Sequence, residues 1–261
     1  MILQHYAGIC MDLNIPDTRQ RLLAQRLDAG CQIVATDVAK EFDVSLDTIR
    51  RDILALEANG LAQRVRGGAM PIARPADPLH ARINAADAVN PAIIRAAIRE
   101  IGDAPTLLMD GGATTLSLVP LLAGVTNRLV ITPSPWVAIA CQEHAIAVFL
   151  IGGTLSARGG IAVGDIGQLQ TGAVAADVAI LGACGVDTSF GLSSDDHAES
   201  QMKQAMHAAS ARTIVVTGAQ KIGRRARHHT LPLDQIGAVI TDGDHTMTAP
   251  FSDAGTTFIH A

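Results

Sequence analysis

Short apolar runs alternate with helix-like segments through most of the chain. The apolar runs lie at 106–109, 129–132, 147–151, 177–182, 213–217 and 237–241. The helix-like segments lie at 91–101, 114–123, 135–144, 196–210 and, more briefly, 232–236. Strands that are apolar throughout and alternate with helices are typical of parallel sheets covered on both faces. The pattern therefore predicts an α/β domain over 77–242, an open, mostly parallel sheet with helices on both faces, and a weakly ordered tail after about 243.

A compact helical unit is predicted ahead of this sheet, at 17–70. Its first helix ends at Gly30 and has an apolar stripe formed by Leu22, Leu23, Leu27 and Ala29. A short strand at 33–34 follows. The stretch 70–78 contains three prolines in nine residues and is interpreted as a linker between the two units.

The middle of this unit predicts two further helices and a hairpin. Thr36 is expected to cap a second helix over 36–42, and Ser45 to cap a third helix that ends at Gly60. The buried side of the third helix is formed by Ile49, Ile53 and Leu56. Residues 61–69 then form a short hairpin.

This layout predicts a winged helix-turn-helix, in which the third helix meets the base edges and the hairpin is the wing. The side chains expected to contact DNA are Thr36, Ser45, Asp47, Thr48, Arg50, Arg51, Arg64 and Arg66. Asp47 either accepts a hydrogen bond from a cytosine amino group or orients an arginine. On pattern alone, a small helical subdomain with solvated arginines remains the alternative.

The distribution of charge supports the DNA-binding interpretation better than the net charge does. The whole chain has a formal charge of −5. Residues 17–75 contain nine basic and eight acidic side chains, or +1, which leaves −6 for the rest of the chain. Eight of those nine basic residues are arginine, the side chain best suited to bidentate contacts with phosphate or guanine.

Composition excludes several further classes of protein. Apolar residues make up 48% of the chain and aromatic residues 3%, so the core must consist mainly of aliphatic side chains. No apolar run reaches the roughly 18 residues of a membrane span, and the first residues do not resemble a secretory signal. Four scattered cysteines without a C-x-x-C pair favour neither a disulfide framework nor a zinc site. We therefore expect a cytoplasmic protein that uses no metal and no cofactor and does not associate with membranes.

Several polar groups follow the predicted strands, where an open α/β sheet forms its ligand crevice. Gly111, Gly112, Thr114 and Thr115 form a plausible phosphate cradle at a helix N-terminus. The groups after later strands include Gly152, Gly153, Glu199, Lys203 and Lys221. Two simpler interpretations stay open at this point: a glycine pair that only permits close packing, and an i,i+4 ion pair between Glu199 and Lys203 on a helix surface.

The third helix and wing resemble a known family signature. The run VSLDTIRRDILALEANGLAQRVRGGA resembles the V-S-x-x-T-I-R-R-D-L-x-x-L-E-x-x-G signature of the deoxyribose-operon repressor (DeoR) family, followed by its glycine pair. Further blocks resemble the sensor domain of that family in the same order: DGGATTL, IGGTLSARGGIAVGD, LGACGVDTSFGLSSDDHAESQMKQAM and GAQKIG. The resemblance covers roughly residues 17–242.

The resemblance implies a sensor domain similar in fold to ribose-5-phosphate isomerase, in a family whose members generally respond to phosphorylated sugars or related intermediates. It implies a phosphate loop formed by Asp110, Gly111, Gly112, Ala113, Thr114 and Thr115. It also implies a pocket lined by Gly152, Gly153, Asp187, Glu199, Lys203 and Lys221.

The chain departs from the family pattern at three places. TPSPW stands at 132–136 where T-N-S-L is frequent, Gly218 stands where an aspartate is common before Lys221, and Arg66 replaces a frequent histidine before the glycine pair. The first two changes bear on the choice of effector, and the third bears on the contact made by the wing.

The leading hypothesis is a DNA-binding transcriptional repressor of a carbohydrate or related operon, controlled by a phosphorylated sugar or a similar metabolite. Its partners would be double-stranded operator DNA, that phosphorylated effector and further copies of the chain in a homo-oligomer that reads repeated half-sites. The first alternative is a sugar-phosphate isomerase-like enzyme with a DNA-binding head, although the acid-rich D-G-A-D-E block of those enzymes is reduced to GVDTS at 185–189. The second is a metabolite binder whose head contacts proteins.

The basic run at 223–229 is interpreted as a solvated loop, with a second anion-binding patch as its alternative.

Overall fold

The computed structural model describes residues 15–28, 31–59, 61–71, 79, 83 and 89–261. The chain divides into two compact units, Met1–Arg74 and Pro75–Ala261. Within the described ranges, no helix is both long enough and apolar enough to cross a membrane.

The first unit packs three helices against a small antiparallel sheet. The helices are α1 (Pro16–Asp28), α2 (Ala35–Glu41) and α3 (Leu46–Ala58). The strands are β1 (Ile33–Val34), β2 (Ala62–Val65) and β3 (Gly68–Pro71), in the order β1-β3-β2. The core between them contains Leu23, Leu27, Ile33, Val38, Phe42, Ile49, Ile53 and Leu56. The predicted winged helix-turn-helix is therefore confirmed, with the β2–β3 hairpin as its wing.

The two predicted helix caps have different outcomes. Ser45 caps α3, because its Oγ accepts a hydrogen bond from the Thr48 amide at 3.1 Å. The cap predicted at Thr36 is wrong, since α2 begins at Ala35 and Thr36 lies inside its first turn. The Ala35 amide donates instead to the Gly67 carbonyl at the tip of the wing, at 2.9 Å, so β1 continues directly into α2.

The predicted linker is partly corrected. Met70 and Pro71 belong to β3 rather than to the linker. Gly30, Gly60, Ala29 and the linker stretch 72–78 lie outside the described residues.

The second unit is built on a seven-stranded sheet in which all neighbouring strands are parallel. The strands are β4 (Thr106–Met109), β5 (Leu129–Thr132), β6 (Ala147–Leu150), β9 (Ala176–Gly182), β12 (Ser210–Val216), β14 (Ala238–Thr241) and β15 (Thr257–His260). Their order in the sheet is β15-β14-β12-β9-β4-β5-β6. The first six of them in chain order coincide closely with the apolar runs, which confirms the predicted α/β class.

Helices cover both faces of this sheet. They are α4 (Pro91–Ile101), α5 (Ala113–Leu116), α6 (Val119–Leu122), α7 (Pro135–Glu143), α8 (Asp165–Gly172), α9 (His197–Ala208) and α10 (His245–Thr248). Alternate side chains of β4 enter different cores: Leu107 packs with α4 and α7, whereas Leu108 packs in the core that contains Met202 and Met206 of α9. The sheet is therefore buried on both sides, as an apolar strand sequence requires.

Shorter elements surround the carboxyl ends of the strands. A hairpin joins β7 (Thr154–Leu155) to β8 (Ala162–Val163). A second antiparallel sheet, in the order β10-β11-β13, contains β10 (Gly185–Asp187), β11 (Gly191–Ser194) and β13 (His228–Leu231).

Three sequence predictions for this unit are wrong. The helix at 114–123 is two short helices, because Pro120 near the start of α6 has no amide with which to continue the helical bonding. The expected tail after 243 contains α10 and β15, and β15 pairs with β14 from Thr257 to His260. The run at 223–229 is not a solvated loop, since Ala226 is buried and its amide donates to Ser193 Oγ at 2.9 Å.

Candidate nucleic-acid interface and effector site

The exposed face of α3 carries the polar side chains predicted to meet DNA. Asp47, Arg50 and Arg51 are exposed, and Thr48 is half-buried. Arg51 Nη2 lies 2.7 Å from Asp47 Oδ2. Asp47 therefore contacts an arginine, as one of its two expected roles requires. The two side chains are 79% and 64% exposed, and an exposed i,i+4 pair contributes only a few tenths of a kcal/mol. The pair therefore does little to hold Arg51 in place.

A buried ion pair fixes α3 against α1. Arg19 makes two hydrogen bonds to the Asp52 carboxylate, one of them from Nη2 to Oδ1 at 3.1 Å. Gln20 Nε2 donates to the same oxygen at 3.0 Å. Arg19 is 3% exposed and Asp52 2%. This role of Asp52 was not predicted, although the residue occupies a core-facing position of α3, between Ile49 and Leu56 in the helical repeat.

A concave surface of about 580 Å³ lies beside the first turn of α3. It is lined by Pro16, Arg19, Gln20, Asp43, Val44, Ser45, Thr48, Arg51 and Asp52. Hydroxyl, amide and guanidinium donors at the start of a helix are the groups that bind DNA phosphate oxygens. The charge of Asp52 is already neutralised by Arg19, which leaves Arg51 and Asp43 as the exposed charged side chains of this surface.

The remaining predicted DNA contacts lie on the wing and on α2. Arg64 Nε is 3.1 Å from Glu57 Oε2, and its side chain is 57% exposed. Arg66 is exposed at the turn between β2 and β3. Thr36 is exposed on α2, and its hydroxyl donates to Asp37 Oδ1 at 3.3 Å.

The second unit brings Asp110 and Lys203 together at the carboxyl ends of β4 and β9. Lys203 Nζ lies 3.2 Å from Asp110 Oδ2 and donates to the Gly182 carbonyl at 2.7 Å. The Asp110 carboxylate also accepts bonds from the amides of Gly111 (2.8 Å) and Gly182 (3.0 Å). Asp110 thus ties together the ends of two strands, and Lys203 neutralises it.

The environment of Lys203 favours its charged form. Burial by itself lowers the pKa of this ammonium, but the carboxylates of Asp110 and Glu199 outweigh burial, and the pKa ends above its ordinary value. Lys203 therefore remains a buried cation next to Asp110. A buried cation of this kind is suited to an anionic ligand.

Glu199 lies on the same helix as Lys203, one turn earlier, and faces the turn that joins β7 to β8. Both residues are 5% exposed, so they are not the solvent-facing surface pair that the simpler interpretation required. Ser156 Oγ donates to Glu199 Oε1 at 2.5 Å, and the Gly159 amide donates to Ser156 Oγ at 3.2 Å. Sequence reasoning did not name Ser156 or Gly159, and the only available signal was the glycine pair at 159–160.

The predicted phosphate loop follows β4 directly. Gly112 has φ 142 and precedes α5, and Gly111, Gly112, Ala113 and Thr114 are all half-buried. Thr115 is fully buried, and its hydroxyl donates to the Gly112 carbonyl at 3.0 Å. Thr115 therefore shapes the loop. The Gly111 amide is taken by Asp110, so the amides at 112–114 and the Thr114 hydroxyl are the candidate ligand donors of the loop.

The other predicted pocket residues have different surroundings. A Cβ on Gly153 would lie 2.6 Å from the Val163 carbonyl oxygen, so this glycine permits the β7–β8 hairpin to pack, and the Gly152 amide donates to Gln170. Lys221 lies in a 3-10 turn just after β12.

Asp187 is held by Arg225 rather than by the Lys203 cluster. Arg225 Nη2 donates to Asp187 Oδ1 at 2.9 Å, and its guanidinium stacks over Phe190. Burial raises the pKa of Asp187, but the hydrogen bonds from Arg225 and Ser189 outweigh it and hold the pKa below its ordinary value. Arg225, from the run first interpreted as solvated, is therefore a partner of this carboxylate.

Comparison with known proteins relates both units to one family. The family model described as the DeoR-like helix-turn-helix domain matches residues 19–74, and the DeoR C terminal sensor domain matches residues 90–243. The HTH-type transcriptional regulator GlpR of Haloferax volcanii is 28% identical over 94% of this chain and 98% of its own. The glycerol-3-phosphate regulon repressor of Escherichia coli K12 is 28% identical over 79% of this chain and 82% of its own.

One solved structure and one further relative complete the comparison. A putative aga operon transcriptional repressor of Escherichia coli O157:H7 is 26% identical over 86% of this chain and 85% of its own. A D-ribose-5-phosphate isomerase solved with phospho-erythronic acid gives a TM-score of 0.36 at 20% identity over 48% of each chain, which is too distant to support a functional statement. The family-model matches span both units, and the chain therefore belongs to the DeoR family of helix-turn-helix regulators with a C-terminal sensor domain.

Proposed function

We propose that the protein is a transcriptional repressor that binds operator DNA through α3 and the wing, and that a phosphorylated sugar or polyol binding beside Lys203 weakens this binding. A regulator of this kind would act in the cytoplasm, and we propose that it works as a homo-oligomer on repeated half-sites. The observation that carries the proposal is the pairing, in one chain, of an exposed arginine-bearing helix with a buried Lys203 next to a glycine loop.

The DNA contact is supported by the way α3 is presented. The Arg19–Asp52 pair holds the helix on α1, while Arg50 and Arg51 remain exposed on its outer side. Arginine side chains on such a helix reach guanine edges or phosphates, and the wing arginines reach the adjacent backbone. Relatives named as repressors support repression as the regulatory outcome.

The effector class is supported by the charges around Lys203. Its ammonium and the loop amides at 112–114 suit a phosphate, and the Glu199 carboxylate suits the hydroxyls of a sugar or polyol. The Asp110 carboxylate is already occupied by Lys203 and two backbone amides, which suits binding better than proton transfer.

DNA binding is tested with the full chain and with duplexes that it selects from a random pool. Arg50→Ala is expected to weaken binding to the selected duplex and to reduce the slope of log K against log salt by about one if Arg50 neutralises a phosphate. Arg99→Ala, an exposed arginine on α4 of the second unit, is the matched control and should bind like the wild type. Equal binding by both variants at every salt concentration would exclude α3 as the reading helix.

The effector is tested by thermal shift of the full chain against phosphorylated and unphosphorylated sugars and polyols, glycerol 3-phosphate and glycerol among them. A ligand that binds only the folded state stabilises it by RT ln(1 + [L]/Kd), so the melting temperature rises with the logarithm of the ligand concentration once that concentration exceeds Kd. We expect phosphorylated compounds alone to produce a shift, and expect Lys203→Met to remove it. A shift only with unphosphorylated compounds would refute the phosphate assignment.

A further inference from the structure

A tight turn at 156–160, between β7 and β8, lies between the side chains of Glu199 and Leu79. Leu79 lies between the wing strand β3 and the sheet of the second unit along the chain, and it is 2% exposed. The turn is closed by its own backbone bonds, from the Ser156 amide to the Ile161 carbonyl (2.8 Å) and from the Gly160 amide to the Ser156 carbonyl (3.0 Å). It is therefore one small unit with two different neighbours.

One side of the turn fits against the candidate effector site. Ser156 donates to the Glu199 carboxylate, and a Cβ on Gly159 would lie 2.3 Å from Glu199 Oε1. The same segment also reaches the candidate phosphate loop, because a Cβ on Gly111 would lie 2.3 Å from Ile161 Cγ2. A Cβ at 159 would therefore force either the turn or the Glu199 carboxylate to move and would disturb their contact.

The opposite side of the turn fits against Leu79. The Leu79 amide donates to the Arg158 carbonyl at 2.9 Å. A Cβ on Gly160 would lie 2.6 Å from Leu79 Cδ2, and the φ of Gly160 is +65, a conformation that favours glycine. The consecutive glycines thus serve two different contacts, Gly159 toward Glu199 and Gly160 toward Leu79.

We propose that this turn transmits occupancy of the effector site to the chain segment that leads to the DNA-binding unit, with Ser156 and Leu79 as positioning residues on its two sides. The inference rests on the proposed function in taking Glu199 to be an effector contact. A sugar or polyol hydroxyl that donates to Glu199 competes with the Ser156 hydroxyl for the same oxygen. When Ser156 leaves Glu199, the turn loses its support on that side, and the Leu79 anchor on the other side loosens.

A physical coupling of this kind needs contiguous packing between the two ends and a rigid element between them. The turn at 156–160 meets both requirements, because it packs against Glu199 on one side and Leu79 on the other and is closed by its own backbone bonds. Both glycines are in tight contact with their neighbours, and a close-packed interior does not deform smoothly. A shift of the turn toward one neighbour therefore breaks its contact with the other.

The test is amide hydrogen exchange at Leu79 in the full-length chain, measured with no DNA and no ligand. Ser156→Ala removes the bond to Glu199 without touching Leu79, and we expect exchange of the Leu79 amide to become about tenfold faster, as loss of a charge-assisted hydrogen bond implies. Glu199→Gln keeps the side-chain shape and weakens the bond, and we expect an increase of about threefold. Because neither DNA nor effector is present, the result does not depend on whether the chain represses transcription.

Leu155→Ala is the matched control, since Leu155 precedes Ser156 on the same hairpin but is 56% exposed. We expect it to change exchange at Leu79 less than twofold. Trp136 fluorescence during unfolding checks that each variant retains a folded second unit. Unchanged exchange at Leu79 in both Ser156→Ala and Glu199→Gln, or an equal increase in Leu155→Ala, would overturn the proposal.

Discussion

Lys203 Nζ lies 3.2 Å from Asp110 Oδ2, and the two side chains are only 6% and 2% exposed. The pair joins α9 to the end of β4 at the edge where the parallel strands terminate. Two charges at this depth are tolerated because the Gly111 and Gly182 amides satisfy the carboxylate and the Gly182 carbonyl accepts from the ammonium. The candidate effector site is therefore organised around a neutralised pair, with Glu199 one helical turn away.

Removing one member of this pair should be costly. Lys203→Met leaves a buried carboxylate without its counter-charge, and we expect the free energy of unfolding to fall by about 3–5 kcal/mol. Urea unfolding followed by Trp136, the single tryptophan of the chain, measures the second unit directly. The double variant Lys203→Met/Asp110→Leu should recover part of the loss, and a change below about 1 kcal/mol in the single variant would show that the pair does not support the fold.

The buried Arg19–Asp52 pair should matter for the first unit in the same way. We expect Asp52→Ala to destabilise that unit by about 3–5 kcal/mol, because it leaves the Arg19 guanidinium buried without its carboxylate. Hydrogen exchange of the α3 amides measures this effect. Asp47→Ala on the same helix removes a carboxylate from an exposed pair and should change stability by no more than about 0.5 kcal/mol, so similar losses in both variants would contradict the role given to Asp52.

The Asp187–Arg225 pair should give a pH-dependent contribution to stability. Because the folded-state pKa of Asp187 is held below its ordinary value of 3.8, its stabilisation is fully present above that value and is lost as the pH falls through the folded-state pKa. Asp187→Asn should therefore be clearly less stable than the wild type near about pH 6, and the difference should shrink in more acidic solution. Urea unfolding of both proteins across this range measures it, and a constant or widening difference would rule out the assigned cause.

The glycine at 153 should be needed for packing rather than for a ligand. Gly153→Ala places a Cβ against the Val163 carbonyl at a φ of +150, and we expect it to reduce stability by about 1–3 kcal/mol. Gly172→Ala, at the end of α8 with open space around the added Cβ, is the matched control and should stabilise by roughly 0.4–1 kcal/mol. Equal unfolding midpoints for the two variants would contradict this account.

Local patterns predicted much of the fold. The apolar runs predicted six strands of the main sheet, and Asn90 and Pro91 place the start of α4 through a side-chain cap and a favourable first residue. The strand β15 escaped prediction because TFIH is short and mixed in polarity, and its place depends on pairing with β14, distant along the chain. The β10-β11-β13 sheet was missed for the same reason, since β13 pairs with a strand more than 30 residues earlier.

The candidate site was less predictable than the fold. Glu199 and Lys203 were identified because an ammonium suits a phosphate and a carboxylate suits sugar hydroxyls, and Asp110 was identified through the family resemblance alone. The contact between Ser156 and Glu199 spans 43 positions of sequence and has no local signal. Asp187 was assigned to the pocket through the family resemblance, and its pairing with Arg225 depends on the unpredicted small sheet.

One titration tests most directly whether a ligand beside Lys203 controls DNA binding. The full chain is titrated onto its selected duplex with and without a saturating amount of the phosphorylated compound that gives the largest thermal shift. We predict that the compound raises the Kd for DNA at least about fivefold in the wild type and leaves the Kd unchanged in the Lys203→Met variant. The variant is used under conditions in which its second unit remains folded. An unchanged Kd in the wild type at saturation, or the same increase in Lys203→Met, would contradict the account.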